Sequence, residues 1–106
     1  MREVIEEGVI QNFEFTYELC WKFMVRWISQ EIPPEEPFPR TKRDIFRTAA
    51  RYGLIRDQKP WFRYVEAHYM TSHAYDRKKA ETVLAIVGEF LSDAKGFYRE
   101  IEVVNV

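Results

Sequence analysis

The chain has 106 residues, 46% of them apolar and 31% charged, with a formal net charge of −1 at pH 7. That length and balance describe a single domain able to close a core without disulfides or metals, and they exclude wholesale disorder. The single Cys20 has no internal partner, no apolar run approaches roughly 18 residues and no signal-peptide pattern opens the chain, so a reducing, cytoplasmic setting without membrane contact is expected.

Four helices are expected. The first runs from about Glu3 to Gln30, with Val9, Phe13, Cys20, Met24 and Trp27 on one stripe and Ile10, Tyr17, Trp21 and Ile28 beside it. That arc is wide enough to need cover on more than one side. Ile32-Pro33-Pro34 ends the helix, and the stretch to Pro39 is a connector in which proline removes the backbone donors a helix needs. The second helix starts at Thr41, which forms a capping-box-like pair with Asp44, and stops at Gly53, where a left-handed cap costs no side-chain clash.

The third helix begins near Asp57, tolerates Pro60 in its first turn and runs to about Ser72. The fourth is capped by Asp76 and reaches about Ile101. Its stripe is Ala80, Val83, Val87, Phe90, Ala94, Phe97 and Ile101, widened by Leu84, Leu91 and Tyr98. The expected fold is all-α: an antiparallel up-and-down four-helix bundle filling 1–106 as one domain. The surplus apolar arc of the first helix predicts a homodimer.

The charge is segregated: residues 1–39 carry −5, residues 40–79 carry +7 and residues 80–106 carry −3. A basic segment inside a near-neutral chain predicts a surface for an anion such as a nucleotide, RNA or an acidic partner, against the plainer reading of a solvated Arg-rich face.

Thr71-Ser72-His73-Ala74-Tyr75-Asp76 gathers two hydroxyls, an imidazole, a phenol and a capping carboxylate into one bend between helices. An imidazole there can exchange a proton with a 2′-hydroxyl or a leaving oxygen, and the phenol two residues on can be modified or bind phosphate. Arg77, Lys78 and Lys79 follow in the first turn of the fourth helix and oppose its dipole. An anion held by these cations, the Thr71 and Ser72 hydroxyls and the free N–H groups would reverse that penalty.

On the first helix Glu14, Glu18 and Lys22 stand at i, i+4 and i+8. They form either a ladder of ion pairs, worth roughly 0.3–0.5 kcal/mol each, or a polar line facing a cavity or a partner chain. Arg63 and Glu66, at i, i+3, read as a solvated pair. Two histidines and one cysteine offer no metal-ligand spacing, and four scattered glycines form no phosphate loop, so no metal and no cofactor is expected.

Val9-Ile10-Gln11-Asn12-Phe13-Glu14-Phe15-Thr16-Tyr17-Glu18-Leu19-Cys20-Trp21-Lys22 resembles the long-helix signature of the nucleotidyltransferase substrate-binding family, within the HEPN superfamily. The likeness continues through Phe46-Arg47-Thr48-Ala49-Ala50-Arg51-Tyr52-Gly53-Leu54-Ile55, Trp61 and the bend 71–76, in the same order over nearly the whole chain. It implies a dimeric bundle encoded beside a minimal nucleotidyltransferase. In such pairs the HEPN member often acts as a metal-independent ribonuclease toxin. Its partner neutralises it, in some systems by attaching AMP to the Tyr of an Arg-x4-His-x-Tyr motif.

On this chain that motif implies His73 as the imidazole and Tyr75 as the acceptor. His68 stands where the motif has Arg, and Tyr69 where Asn usually follows. Histidine lacks the permanent charge and forked reach with which arginine clamps a phosphate. The chain also begins where the family usually has a preceding helix, which leaves an apolar groove for another chain. The resemblance thus implies a nucleotidyltransferase partner subunit of a toxin–antitoxin-like pair, binding the enzyme and nucleotide or RNA, with a degenerate nuclease motif. Two alternatives stay open: an active ribonuclease sharing acid–base work between His68 and His73 across a dimer cleft, and a purely structural homodimer.

Overall fold

The computed structural model describes residues 2–73 and 75–104. They form α1 (Arg2–Glu31), α2 (Lys42–Arg51), α3 (Gln58–Thr71) and α4 (Arg77–Val104), an all-α four-helix bundle. The helix ends are made by the residues that the sequence marks. Thr41 Oγ1 accepts from the Asp44 N–H at 3.1 Å, while the Asp44 carboxylate pairs with Arg47 at 3.2 Å. Gly53, at φ 80°, lets the Leu54 N–H reach back to the Ala49 carbonyl at 2.9 Å, which satisfies an end carbonyl of α2 and turns Leu54 into the core. Asp57 and Asp76 cap α3 and α4, accepting from the N–H groups of Lys59 and Lys78 at 3.0 Å each.

Helix directions do not strictly alternate. Trp21 meets Phe46 and Trp27 meets Tyr52, in increasing order along α1 and α2. Glu6 reaches Arg77 and Phe13 meets Phe90, in increasing order along α1 and α4. α3 runs against them, with Trp61 at Phe97 and Tyr64 at Phe90. The Pro-rich connector makes this possible by doubling back along α2, where Glu36 receives Arg51 and, at 2.6 Å, the Tyr52 hydroxyl.

The core is aromatic at its centre. Phe90 is fully buried and meets Phe13, Trp61 and Tyr64 edge-on, at centroid distances of 4.9, 6.0 and 5.2 Å. Tyr64 donates its hydroxyl to Asp93, and burial first, then that bond, raise its pKa above the ordinary phenol range. Arg63 bonds to Glu89 on α4, so the expected local pair with Glu66 is replaced by a cross-helix one. Leu91 and Tyr98 do not join the core; with Leu19 and Phe23 they stay exposed around a groove of about 380 Å³ between α1 and α4. Cys20 is buried beneath that groove, and burial pushes its thiol up to about 12, so it stays protonated near neutrality. Among the described residues no helix is long and apolar enough to cross a membrane.

Candidate functional site

The end of α3 and the start of α4 lie at different levels on α1. His68, in the last turn of α3, stacks on Tyr17, whereas Arg77 reaches Glu6. Those two α1 positions are eleven residues, or roughly 16 Å of helix, apart. The bend between them spans this step on the outside of the bundle, and its Ala74 lies outside the described residues.

Within the bend, His73 Nδ1 is 3.2 Å from the Tyr75 hydroxyl, and the two rings meet edge-to-face at 5.9 Å. Both side chains are exposed; Tyr75 is 85% accessible. A turn holds them there, with the His73 N–H donating to the Met70 carbonyl and the Asp76 N–H to the His73 carbonyl, each at 2.9 Å. This places a ring nitrogen against a phenol that an outside reagent can reach.

His68 faces elsewhere. Its ring is half-buried, stacked on Tyr17 at 4.5 Å, with Nε2 3.5 Å from Glu18 Oε1. No hydrogen bond or ring contact joins His68 to His73 among the described residues. Tyr17 is buried and its hydroxyl has no hydrogen-bond partner among the described residues. Burial, then Tyr69 and Cys20, push its pKa above the ordinary range. Lys42, at the start of α2, brings its ammonium to 6.0, 5.6 and 4.9 Å from the ring centroids of Tyr17, Trp21 and Tyr69.

The remaining expected site residues are distributed differently from their order in sequence. Thr71 is buried and its hydroxyl donates to the His68 carbonyl at 2.6 Å, so it is not offered to an outside anion. The exposed Ser72 donates to the Tyr69 carbonyl at 3.0 Å. Arg77 is held by Glu6 at 2.6 Å and Glu81 at 3.0 Å; both bonds raise its already high pKa, Glu6 foremost. Asp76 occupies the N–H groups of Lys78 and Lys79 at 3.0 and 3.4 Å. The dipole conflict expected at this helix start is therefore met from inside the chain, which leaves Lys78 and Lys79 as its cations without an ion pair among the described residues.

Glu14, Glu18 and Lys22 form no ladder: Glu18 turns to His68, Glu14 is half-buried and Lys22 is exposed. Sequence reasoning missed Tyr17 as the support of His68, and missed Lys42, Tyr69 and Glu6. Tyr17 reads as one more residue of an apolar stripe, and the other contacts join separate helices without a local signal.

The result is an all-helical bundle with an exposed imidazole and phenol in hydrogen-bond reach at one inter-helix bend. No His/Cys/Asp/Glu cluster able to hold a metal ion occurs among the described residues. The chain belongs to the nucleotidyltransferase substrate binding protein like family, whose model matches residues 1–103. It is 35% identical over 106 residues to a Haemophilus influenzae protein named probable ribonuclease HepT, covering 99% of this chain and 73% of the relative. A solved Haemophilus influenzae structure, described as the fold of a substrate binding domain of a nucleotidyltransferase, has a TM-score of 0.85 and 36% identity, covering 93% of this chain and 74% of that one.

Proposed function

We propose that this chain is the cytoplasmic partner subunit of a minimal nucleotidyltransferase in a toxin–antitoxin-like pair, and that Tyr75 accepts AMP from that enzyme. Family membership and the neighbour's description support the partnership. The observation that carries the acceptor role is the exposed Tyr75 hydroxyl 3.2 Å from His73 Nδ1. With its proton on Nε2, His73 has a lone pair on Nδ1 to take the phenolic proton. The phenolic oxygen then attacks the α-phosphorus of ATP held with magnesium by the partner. A new O–P bond forms, the bond from that phosphorus to the bridging oxygen breaks, and pyrophosphate leaves with the electron pair.

Incubation with the cognate nucleotidyltransferase, ATP and magnesium should add one or more AMP units to Tyr75, mapped by mass spectrometry. No adduct with a demonstrably active enzyme, or an adduct confined to another residue, would remove the acceptor role.

The same reading takes the nuclease motif as degenerate. His68 lies against Tyr17 and Glu18, and it lacks the reach of the arginine expected at its position. RNA cleavage should be absent from the native chain and gained in His68→Arg. Native cleavage that this substitution destroys would favour the active ribonuclease instead. A homodimer completes the reading, supported by the exposed Leu19, Phe23, Leu91 and Tyr98 around one groove. Light scattering at tens of micromolar should give the dimer mass, and Phe23→Asp should lower it. A monomeric native chain at that concentration would count against the dimer.

A further inference from the structure

We propose that the exposed side of α2, together with the Pro-rich connector, is a track for a single-stranded nucleic acid that leads to the bend at His73. The basic segment needs a surface, and the start of α4 does not supply it, because Arg77 is taken by Glu6 and Glu81 and Asp76 occupies backbone donors. Apart from Lys78 and Lys79, the cations left available are densest at and just before the start of α2. Arg40, Lys42, Arg43 and Arg47 face a single carboxylate, Asp44, across eight residues. Asp44 engages Arg47, whereas Arg40, Lys42 and Arg43 have no ion pair among the described residues.

Three features fit this surface to a strand of bases and phosphates. The connector and α2 enclose a groove of about 560 Å³ lined by Phe38, Arg40, Arg47, Thr48 and Arg51, with Glu36 paired to Arg51 and Asp44 to Arg47, and Phe38 is 45% exposed there. Arg43 and Arg47 sit over the Phe62 ring at 4.8 and 5.8 Å, which fixes two guanidinium groups one helical turn apart. Lys42 lies 4.9 Å from the Tyr69 ring, which is 58% exposed and precedes His73 by four residues. That contact carries the α2 surface to the last turn of α3, just before the bend that holds His73.

Single-stranded nucleic acid is held by cationic grooves that follow the backbone and by aromatic rings on which bases stack. Here cations alternate with isolated exposed rings. An acidic protein would call for a broad apolar centre to its interface, whereas the apolar lining of this groove is the short run Pro37, Phe38 and Pro39, flanked by cations. The track extends the partner-subunit reading without depending on AMP transfer, since either can fail while the other holds.

Fluorescence anisotropy with a labelled RNA of about 12 nucleotides, within the site size of such grooves, tests it on the full chain. Arg40→Ala/Arg43→Ala/Arg47→Ala should weaken binding by about 10-fold or more and flatten the log–log salt slope by about 2, as expected for three lost phosphate contacts. Phe38→Ala and Tyr69→Ala should each weaken it by about 5-fold or more through lost stacking. A DNA oligomer showing the same dependence also supports the track, because the named contacts reach phosphates and bases only. Three results would overturn it: no binding at low salt, native affinity in a triple variant with native circular dichroism, or poly-glutamate binding as tightly as RNA.

Discussion

Tyr75→Phe should abolish AMP transfer to this chain and leave its thermal unfolding unchanged. Only a hydroxyl is removed, from a ring that is 85% exposed and bonded through that hydroxyl to His73 at 3.2 Å. The other phenols set the acceptor apart: the exposed Tyr52 and Tyr98 hydroxyls are bonded to carboxylates, Glu36 and Glu102. Tyr17 and Tyr64 are buried, and burial raises both pKa values, so neither offers a reachable oxygen. Tyr69 is exposed but stands beside Lys42 with no imidazole bonded to it among the described residues, so Tyr69→Phe should keep the adduct. His73→Ala retains the nucleophile and removes its proton acceptor, and the rate should fall by about 10²–10⁴-fold, the usual contribution of a general base. Intact protein mass against time reads all three variants. An adduct that persists in Tyr75→Phe would rule out the acceptor, and an unchanged rate in His73→Ala would rule out proton transfer to that ring.

Phe90→Ala should be severely damaging, at about 3–5 kcal/mol. The side chain is fully buried on α4 and touches rings from α1 and α3, so its loss opens a void bordered by three helices instead of one. Three edge-to-face contacts vanish with it, which adds to the transfer and cavity costs. A chain of this size has about 5–15 kcal/mol in hand, so a lowering of Tm by roughly 12–40 °C follows at about 4–8 °C per kcal/mol. Val4→Ala makes the contrast: Val4 is 70% exposed, and surface changes of this kind stay within about 0.5 kcal/mol. Equal Tm losses in the two variants would mean that the aromatic cluster does not hold the bundle together.

The helices and their core faces are legible from sequence because their signals are short-ranged. Pro33 and Pro34 end α1, Thr41, Asp57 and Asp76 supply side-chain oxygens within three residues of the donors they satisfy, and Gly53 takes the one positive φ among the described residues. The stripe from Ala80 to Phe97 predicts burial because helical period alone sets which side chains share a face. The bend at His73 and Tyr75 is legible on the same ground, since two residues of turn bring their side chains together.

What each polar residue meets is a different matter. Arg77 reads as an unopposed cation until Glu6, 71 residues away, is packed against it. His68 reads as a partner for His73 until the stacking of α3 on α1 lays it over Tyr17. The exposed cations of α2 gain their groove only because the connector folds back along the helix. By itself the sequence determined where the helices begin, end and turn inward, since caps, prolines and periodicity act within about one helical turn. Only the tertiary structure decided which charges are spent and which face outward, because that depends on how the packed core orients one helix against another.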